Sequence, residues 1–135
     1  MKLAHSLLSL AFVAAAPLLA QKAPEIQAPE LQISFAPGVV QFDVFGVQPP
    51  FLGLVLVSLQ PDLAHYLVGL PPLLGESIVL DWGIAQSLRF HSVVPETAFL
   101  PGVMFYAQGV TISEAGILSS DVGSLVLDAT GTGRR

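Results

Sequence analysis

The residues of this chain that could carry out chemistry are few and widely spaced. A nucleophilic centre would need His65 or His91 as a base, together with an orienting carboxylate and a serine hydroxyl. The acids and hydroxyls that such a centre could use are Asp62, Asp81, Glu96, Ser58 and Ser92. No G-x-S-x-G nucleophile elbow occurs. The sequence therefore favours surface or strand histidines over a hydrolase site, and we expect no catalytic residue.

Metal ligands are just as scattered. His65 and His91 show neither H-x-H nor H-E-x-x-H spacing, and without cysteine there is no zinc site of the cysteine type, no disulfide and no thiolate chemistry. Calcium is the alternative, since carboxylates are its natural ligands, but the acids stand singly and the EF-hand loop pattern is absent. Phosphate-loop and dinucleotide fingerprints are also missing. We expect neither a metal nor another cofactor.

Three aromatic residues are candidates for binding a ligand, namely Trp82, Tyr66 and Tyr106. Exposed aromatic faces can stack on carbohydrate rings, whereas buried ones contribute area to the core. Gln108 shares a predicted strand face with Tyr106, and we expect it to be a buried amide bonded to backbone. The sequence therefore keeps a carbohydrate-binding module open, with these three aromatics as the candidate contacts.

The charge balance limits the partners. Five Lys and Arg stand against ten Asp and Glu, which leaves a net charge of -5. With Arg134 and Arg135 at the end of the chain, too few basic residues remain for the positive stripe that a phosphate backbone requires. Nucleic acid is thus an unfavourable partner. The apolar fraction of 53% instead indicates an exposed apolar patch and favours an unidentified protein or glycan, or self-association.

The first twenty residues have the pattern of a secretory signal peptide. Lys2 supplies the positive n-region, an apolar run follows, and Ala20 is the small residue before the cleavage point. The run is shorter than the ~20 residues of a membrane-spanning helix, and Pro17 interrupts it. We therefore predict a secreted, periplasmic or cell-surface protein without membrane insertion after cleavage. The predicted organisation is a signal peptide (1–20), an extended leader (21–30), one folded domain (31–128) and a flexible tail (129–135).

Alternating and continuous apolar runs predict an all-β domain of seven or eight short strands. The predicted strands are 31–35, 40–47, 52–59, 77–82, 88–94, 99–112 and 117–128, the last bulged at Gly123. A short strand at 66–68 is a further candidate, and single helical turns are predicted from 61–62 and at 96–100. Asp43 and Asp81 interrupt apolar strands, and we expect each to face water on an outer sheet surface.

The strand at 99–112 is predicted to be the central one. Phe105 and Ala107 would point to one face and Tyr106 and Gln108 to the other, because side chains alternate along a strand. Both faces are largely apolar, which is typical of a strand covered on both sides. The connections are too short for parallel crossovers, so the strands should pair antiparallel, in a jelly-roll or immunoglobulin-like β-sandwich.

The segment from about residue 54 to 127 resembles a module at the end of many secreted bacterial proteins of unknown function. In that module a Pro-Gly turn leads into a Phe-Tyr-x-Gln strand, followed by a Leu-Ser step and a final apolar strand. The matching residues are Pro101, Gly102, Phe105, Tyr106, Gln108, Leu118, Ser119 and 125–127. The resemblance implies a secreted β-sandwich and indicates no activity. We therefore expect a structural or interaction module.

Overall fold

The computed structural model describes residues 28–46, 48–128 and 133–134. The predicted signal peptide and most of the predicted leader and tail lie outside these residues. The described strands are β1 (Glu30–Ala36), β2 (Val39–Phe45), β3 (Phe51–Ser58), β4 (Leu63–Ala64), β5 (Leu73–Leu74), β6 (Ile78–Ala85), β7 (Arg89–Pro95), β8 (Met104–Ser113), β9 (Gly116–Ser119), β10 (Gly123–Leu127) and β11 (Gly133–Arg134). One short 3-10 helix, Glu96–Ala98, precedes β8 and confirms the predicted helical turn.

Two antiparallel sheets pack against each other and confirm the predicted β-sandwich. Sheet A has the order β1-β2-β7, and sheet B has the order β11-β10-β8-β3-β6, with β9 also paired to β8. The first two strands form the predicted hairpin, whose turn contains Gly38 at a φ of 78°. This left-handed conformation suits glycine because it has no Cβ. Across the part of the chain that the structure describes, no helix has the length and apolarity needed to cross a membrane.

Strand β8 lies inside sheet B, as predicted for the central strand. It pairs with β3 on one side and with both β9 and β10 on the other. The predicted final strand is therefore two strands, and they are interrupted at residues 120–122 rather than bulged at Gly123. At this break Ser120 Oγ accepts a hydrogen bond from the Gly109 N–H at 2.8 Å. The break also frees the Ser120 carbonyl, which accepts a hydrogen bond from the Gln108 side chain.

The main core fills the space between the two sheets. Its aromatic centre is formed by Phe42, Phe99 and Phe105. The ring centroids of Phe42 and Phe99 are 6.3 Å apart, and those of Phe99 and Phe105 are 5.1 Å apart. Phe90 packs against two glycines, since a Cβ at Gly53 or Gly83 would lie within 2.8 Å of its side chain. These glycines let the sheets approach each other around that ring.

A second, smaller core lies on the outer face of sheet B. Residues 60–76, which we call the strap, cross this face and include the short pair β4 and β5. Leu74 of the strap is fully buried and packs with Leu56 and Val110 of the sheet. The middle strands are thus covered on both sides where the strap crosses them, and the prediction of cover on both sides holds for that part of the sheet. The predicted short strand at 66–68 and helical turn from 61–62 are wrong, because the strap pairs through residues 63–64 and 73–74.

Candidate functional site

The outer face of sheet A carries a charged cluster. Asp43 and His91 are direct partners in the antiparallel register of β2 and β7. Asp43 Oδ1 lies 2.6 Å from His91 Nδ1 and 3.6 Å from Arg89 Nε. Asp43 does lie on an outer sheet face, as expected, but it is only 9% exposed. His91 therefore has an acidic partner that sequence reasoning missed, since the two residues are 48 positions apart.

A second polar pair closes one edge of the sandwich. Ser92 Oγ donates a hydrogen bond to Asp81 Oδ2 at 2.6 Å, and Asp81 Oδ1 accepts one from the Trp82 N–H at 2.9 Å. Ser92 is buried, and Asp81 is half-buried opposite the core residue Val55. Asp81 therefore does not face water on an outer surface, and that prediction is wrong. Its bond joins β6 and β7, which are edge strands of different sheets within the described residues.

The histidine and serine candidates are not brought together. His91 and Ser92 are consecutive in β7, so their side chains point to opposite faces of sheet A. Ser58 is also engaged structurally: its Oγ donates to the Gly75 carbonyl at 3.1 Å and accepts from the Gln60 N–H. His65 lies exposed in the strap. Among the described residues, no group of three or more metal-ligating side chains is placed to hold an ion.

The three candidate aromatics occupy different environments. Trp82 is 65% exposed and Tyr66 is 54% exposed, whereas Tyr106 is half-buried beside the second core. Trp82 is paired with Leu54 and Tyr106 with Ser58, four residues further along β3. That separation is about 13 Å along a strand. The three rings therefore do not form a single platform, and only Trp82 stands exposed on a sheet.

Trp82 belongs to an apolar patch on the part of sheet B that the strap leaves uncovered. Trp82 and Ile84 of β6 lie opposite Leu54 and Leu52 of β3, and Leu52 is also paired with Ile112 of β8. Ile84 is 61% exposed and Ile112 is 38% exposed, while both leucines are half-buried. We call these five residues the apolar patch. The apolar composition predicted an exposed patch, but sequence reasoning did not locate it, because the apolar residues on both faces of the central strand predicted that this strand would be covered.

Gln108 anchors the strap next to this patch. Its Oε1 accepts a hydrogen bond from the Leu74 N–H at 3.0 Å, and its Nε2 donates to the carbonyls of Pro72 and Ser120 at 3.2 and 3.0 Å. The residue is 1% exposed, so the prediction of a buried amide bonded to backbone is confirmed. These bonds attach the strap to the central strand.

A shallow apolar groove of about 380 Å³ opens beyond the opposite end of β3. The groove is lined by Val57, Ser58, Leu59, Glu76, Ile78, Ala98, Leu100 and Phe105. Its two polar side chains do not form a convergent set, because Ser58 already bonds the strap. The groove therefore adds apolar surface but no recognisable chemistry.

No family model, curated protein or solved structure matches this chain. The fold and its surfaces define the class by themselves: an antiparallel β-sandwich with one charged outer face and one apolar outer face. The likeness to a module of secreted bacterial proteins remains a prediction.

Proposed function

We propose that this chain is a secreted, non-catalytic interaction module that binds its partner through the apolar patch. The observation that carries the proposal is that Trp82 and Ile84 are exposed on the face of an ordered sheet, beside half-buried leucines. A contiguous apolar surface of this kind marks an interaction site more often than a scattered exposed side chain does. Trp is also among the residues that contribute most to binding energy at interfaces.

The rigidity of the patch favours binding. Its residues lie on β3, β6 and β8, whose opposite faces form the main core through residues such as Val55 and Ala107. A surface already ordered in the free protein loses little conformational entropy when a partner binds. An interface of modest area can therefore bind a partner with measurable affinity.

The polar clusters support a non-catalytic role. His91 and Ser92 point to opposite sides of sheet A, so the serine hydroxyl has no imidazole base beside it. The Asp43 and His91 pair contacts Arg89, and no serine or threonine hydroxyl of the described residues bonds to it. Both polar pairs instead link neighbouring strands, which is a structural task.

Carbohydrate binding through Trp82 is the second candidate. Its exposed indole has the shape needed to stack on a sugar ring. The paired side chain, Leu54, and the next residue on the same face, Ile84, are both apolar. Sugar recognition also needs hydrogen-bonding groups beside the ring, which makes a protein partner the better fit.

The fluorescence of Trp82, the single tryptophan, tests the proposal directly. In the dilute purified protein we expect red-shifted emission that acrylamide quenches readily, together with binding of the apolar dye ANS. Ile84→Lys should weaken ANS binding, while the matched control Val93→Lys, on the outer face of sheet A, should not. Blue-shifted, quencher-resistant emission from a dilute monomer would contradict an accessible patch. A change in emission on adding a glycan would instead favour the carbohydrate candidate.

A further inference from the structure

We infer that the partner of the apolar patch is a second copy of this chain, with two patches packed face to face about a two-fold axis. This inference rests on the proposed function, because it uses the same surface. In such an isologous interface each patch contacts the identical patch of the other copy.

The apolar character of the patch favours a partner that presents an apolar sheet face. All five of its residues are uncharged and largely apolar, so the patch offers a polar ligand no charge and a single hydrogen-bond donor, the indole N–H of Trp82. The nearest carboxylate in the sequence of β6, Asp81, is already bonded to Ser92 and to the Trp82 N–H. A sheet face without charge packs well on another apolar sheet face, and stacked sheets lie about 10 Å apart. The second copy supplies such a face.

The patch also continues the second core. Leu54 packs against the cluster of Leu56, Leu74 and Val110, and it is paired with Trp82 at the sheet edge. The strap covers one half of this apolar layer, and the other half ends in the patch. A second copy would complete the cover that the strap provides only in part.

The apolar area of the patch determines the affinity expected for the dimer. The five side chains present on the order of 500 Å² of apolar surface, so two patches would bury about 1,000 Å² in total, just below the range of stable specific interfaces. We therefore expect reversible, micromolar dimerisation rather than an obligate dimer. Each copy has a net charge of -5, so the copies repel each other and added salt should strengthen the dimer.

The test combines sedimentation velocity with Trp82 fluorescence on the same samples, from about 1 to about 500 µM. In the wild type we expect the rise in mass and the blue shift of Trp82 to share one midpoint, since dimerisation covers the indole. Ile84→Lys keeps the fluorophore and should raise the midpoint at least about tenfold, because it places a charge in the interface. Val93→Lys adds the same charge to sheet A and should leave the midpoint within about twofold.

Circular dichroism and urea unfolding establish that both variants are folded, and Ile84→Ser replaces Ile84→Lys if the lysine prevents folding. A wild-type monomer with exposed Trp82 at every concentration would overturn the second-copy inference and leave the proposed function standing. A monomer with quencher-resistant Trp82 would overturn both. Equal dimerisation of wild type and Ile84→Lys, or equal loss in both lysine variants, would exclude this interface.

Discussion

The two outer faces of the sandwich use the same strand geometry in opposite ways. On sheet A the outward positions of β2 and β7 hold Asp43 and its two partners, His91 and Arg89. On sheet B the outward positions of β3 include Leu52, Leu54 and Leu56, and the strap packs over part of this row. Side-chain alternation therefore defines each face, while residue type decides whether paired charges or a second layer cover it.

The charged cluster on sheet A and the strap on sheet B differ in their expected contribution to stability. Arg89 is more than half exposed and His91 is over a third exposed, so solvent screens both interactions with Asp43. Beneath the strap, apolar side chains are removed from water and Gln108 bonds buried backbone groups. The buried contacts and hydrogen bonds beneath the strap are costly to disrupt, because a buried polar group that loses its partner stays out of contact with water. We therefore expect the strap to dominate the stability of the outer layers.

The largest effect is expected for Gln108→Ala. The variant leaves the Leu74 N–H and the Pro72 carbonyl without their bonds to the Gln108 side chain, and it opens a cavity. The free energy of unfolding should fall by about 3–4 kcal/mol in urea denaturation. Gln41→Ala is the matched control on sheet A, where the amide accepts a bond from Ser34, and it should cost less than about 1 kcal/mol. Equal losses would remove the proposed difference between the faces.

Leu74→Ala should come next. The side chain is fully buried in the second core, so its truncation should cost about 2–4 kcal/mol. Leu67→Ala, at an exposed position of the same strap, should change stability by less than about 0.5 kcal/mol. Hydrogen exchange should be faster throughout the strap in Leu74→Ala alone. A stability unchanged by Leu74→Ala would show that the strap does not belong to the cooperative unit.

A smaller effect is expected for Asp43→Asn. The substitution keeps the shape of the side chain and removes its charge, so the exposed partners Arg89 and His91 lose attraction but little packing. The free energy of unfolding should fall by about 1 kcal/mol at low salt, and the difference should shrink at high salt. Urea denaturation at two salt concentrations measures both values. A salt-independent loss as large as that of Gln108→Ala would argue against a screened surface cluster.

The smallest change in stability is expected for Trp82→Ala. Because the indole is mostly exposed, its removal should alter the free energy of unfolding by less than about 0.5 kcal/mol. The same substitution should clearly reduce ANS binding. Thermal unfolding followed by circular dichroism, at a concentration where the protein is monomeric, checks the first expectation. A loss above about 2 kcal/mol would mean that the ring packs on the fold, and the apolar patch would no longer differ from the strap-covered half.

Much of the fold was determined locally. Alternation and Gly/Pro turns predicted the β1–β2 hairpin, the short helical turn at Glu96–Ala98 and the central position of β8. Gln108 was predicted to be a buried amide bonded to backbone because it lies in the central strand. These features depend on period-2 burial and on residues close in sequence, and both are readable along the chain.

The tertiary structure alone decided what covers each face. The pairing of Asp43 with His91 depends on the register between β2 and β7, and the Ser92 bond to Asp81 depends on how two edge strands meet. The strap covers Leu56 and Val110 but stops short of Trp82 and Ile84. The sequence by itself determined that both faces of sheet B are apolar, because that follows from residue order. The position of the patch depended on contacts between distant segments, because only their packing sets how far the strap reaches.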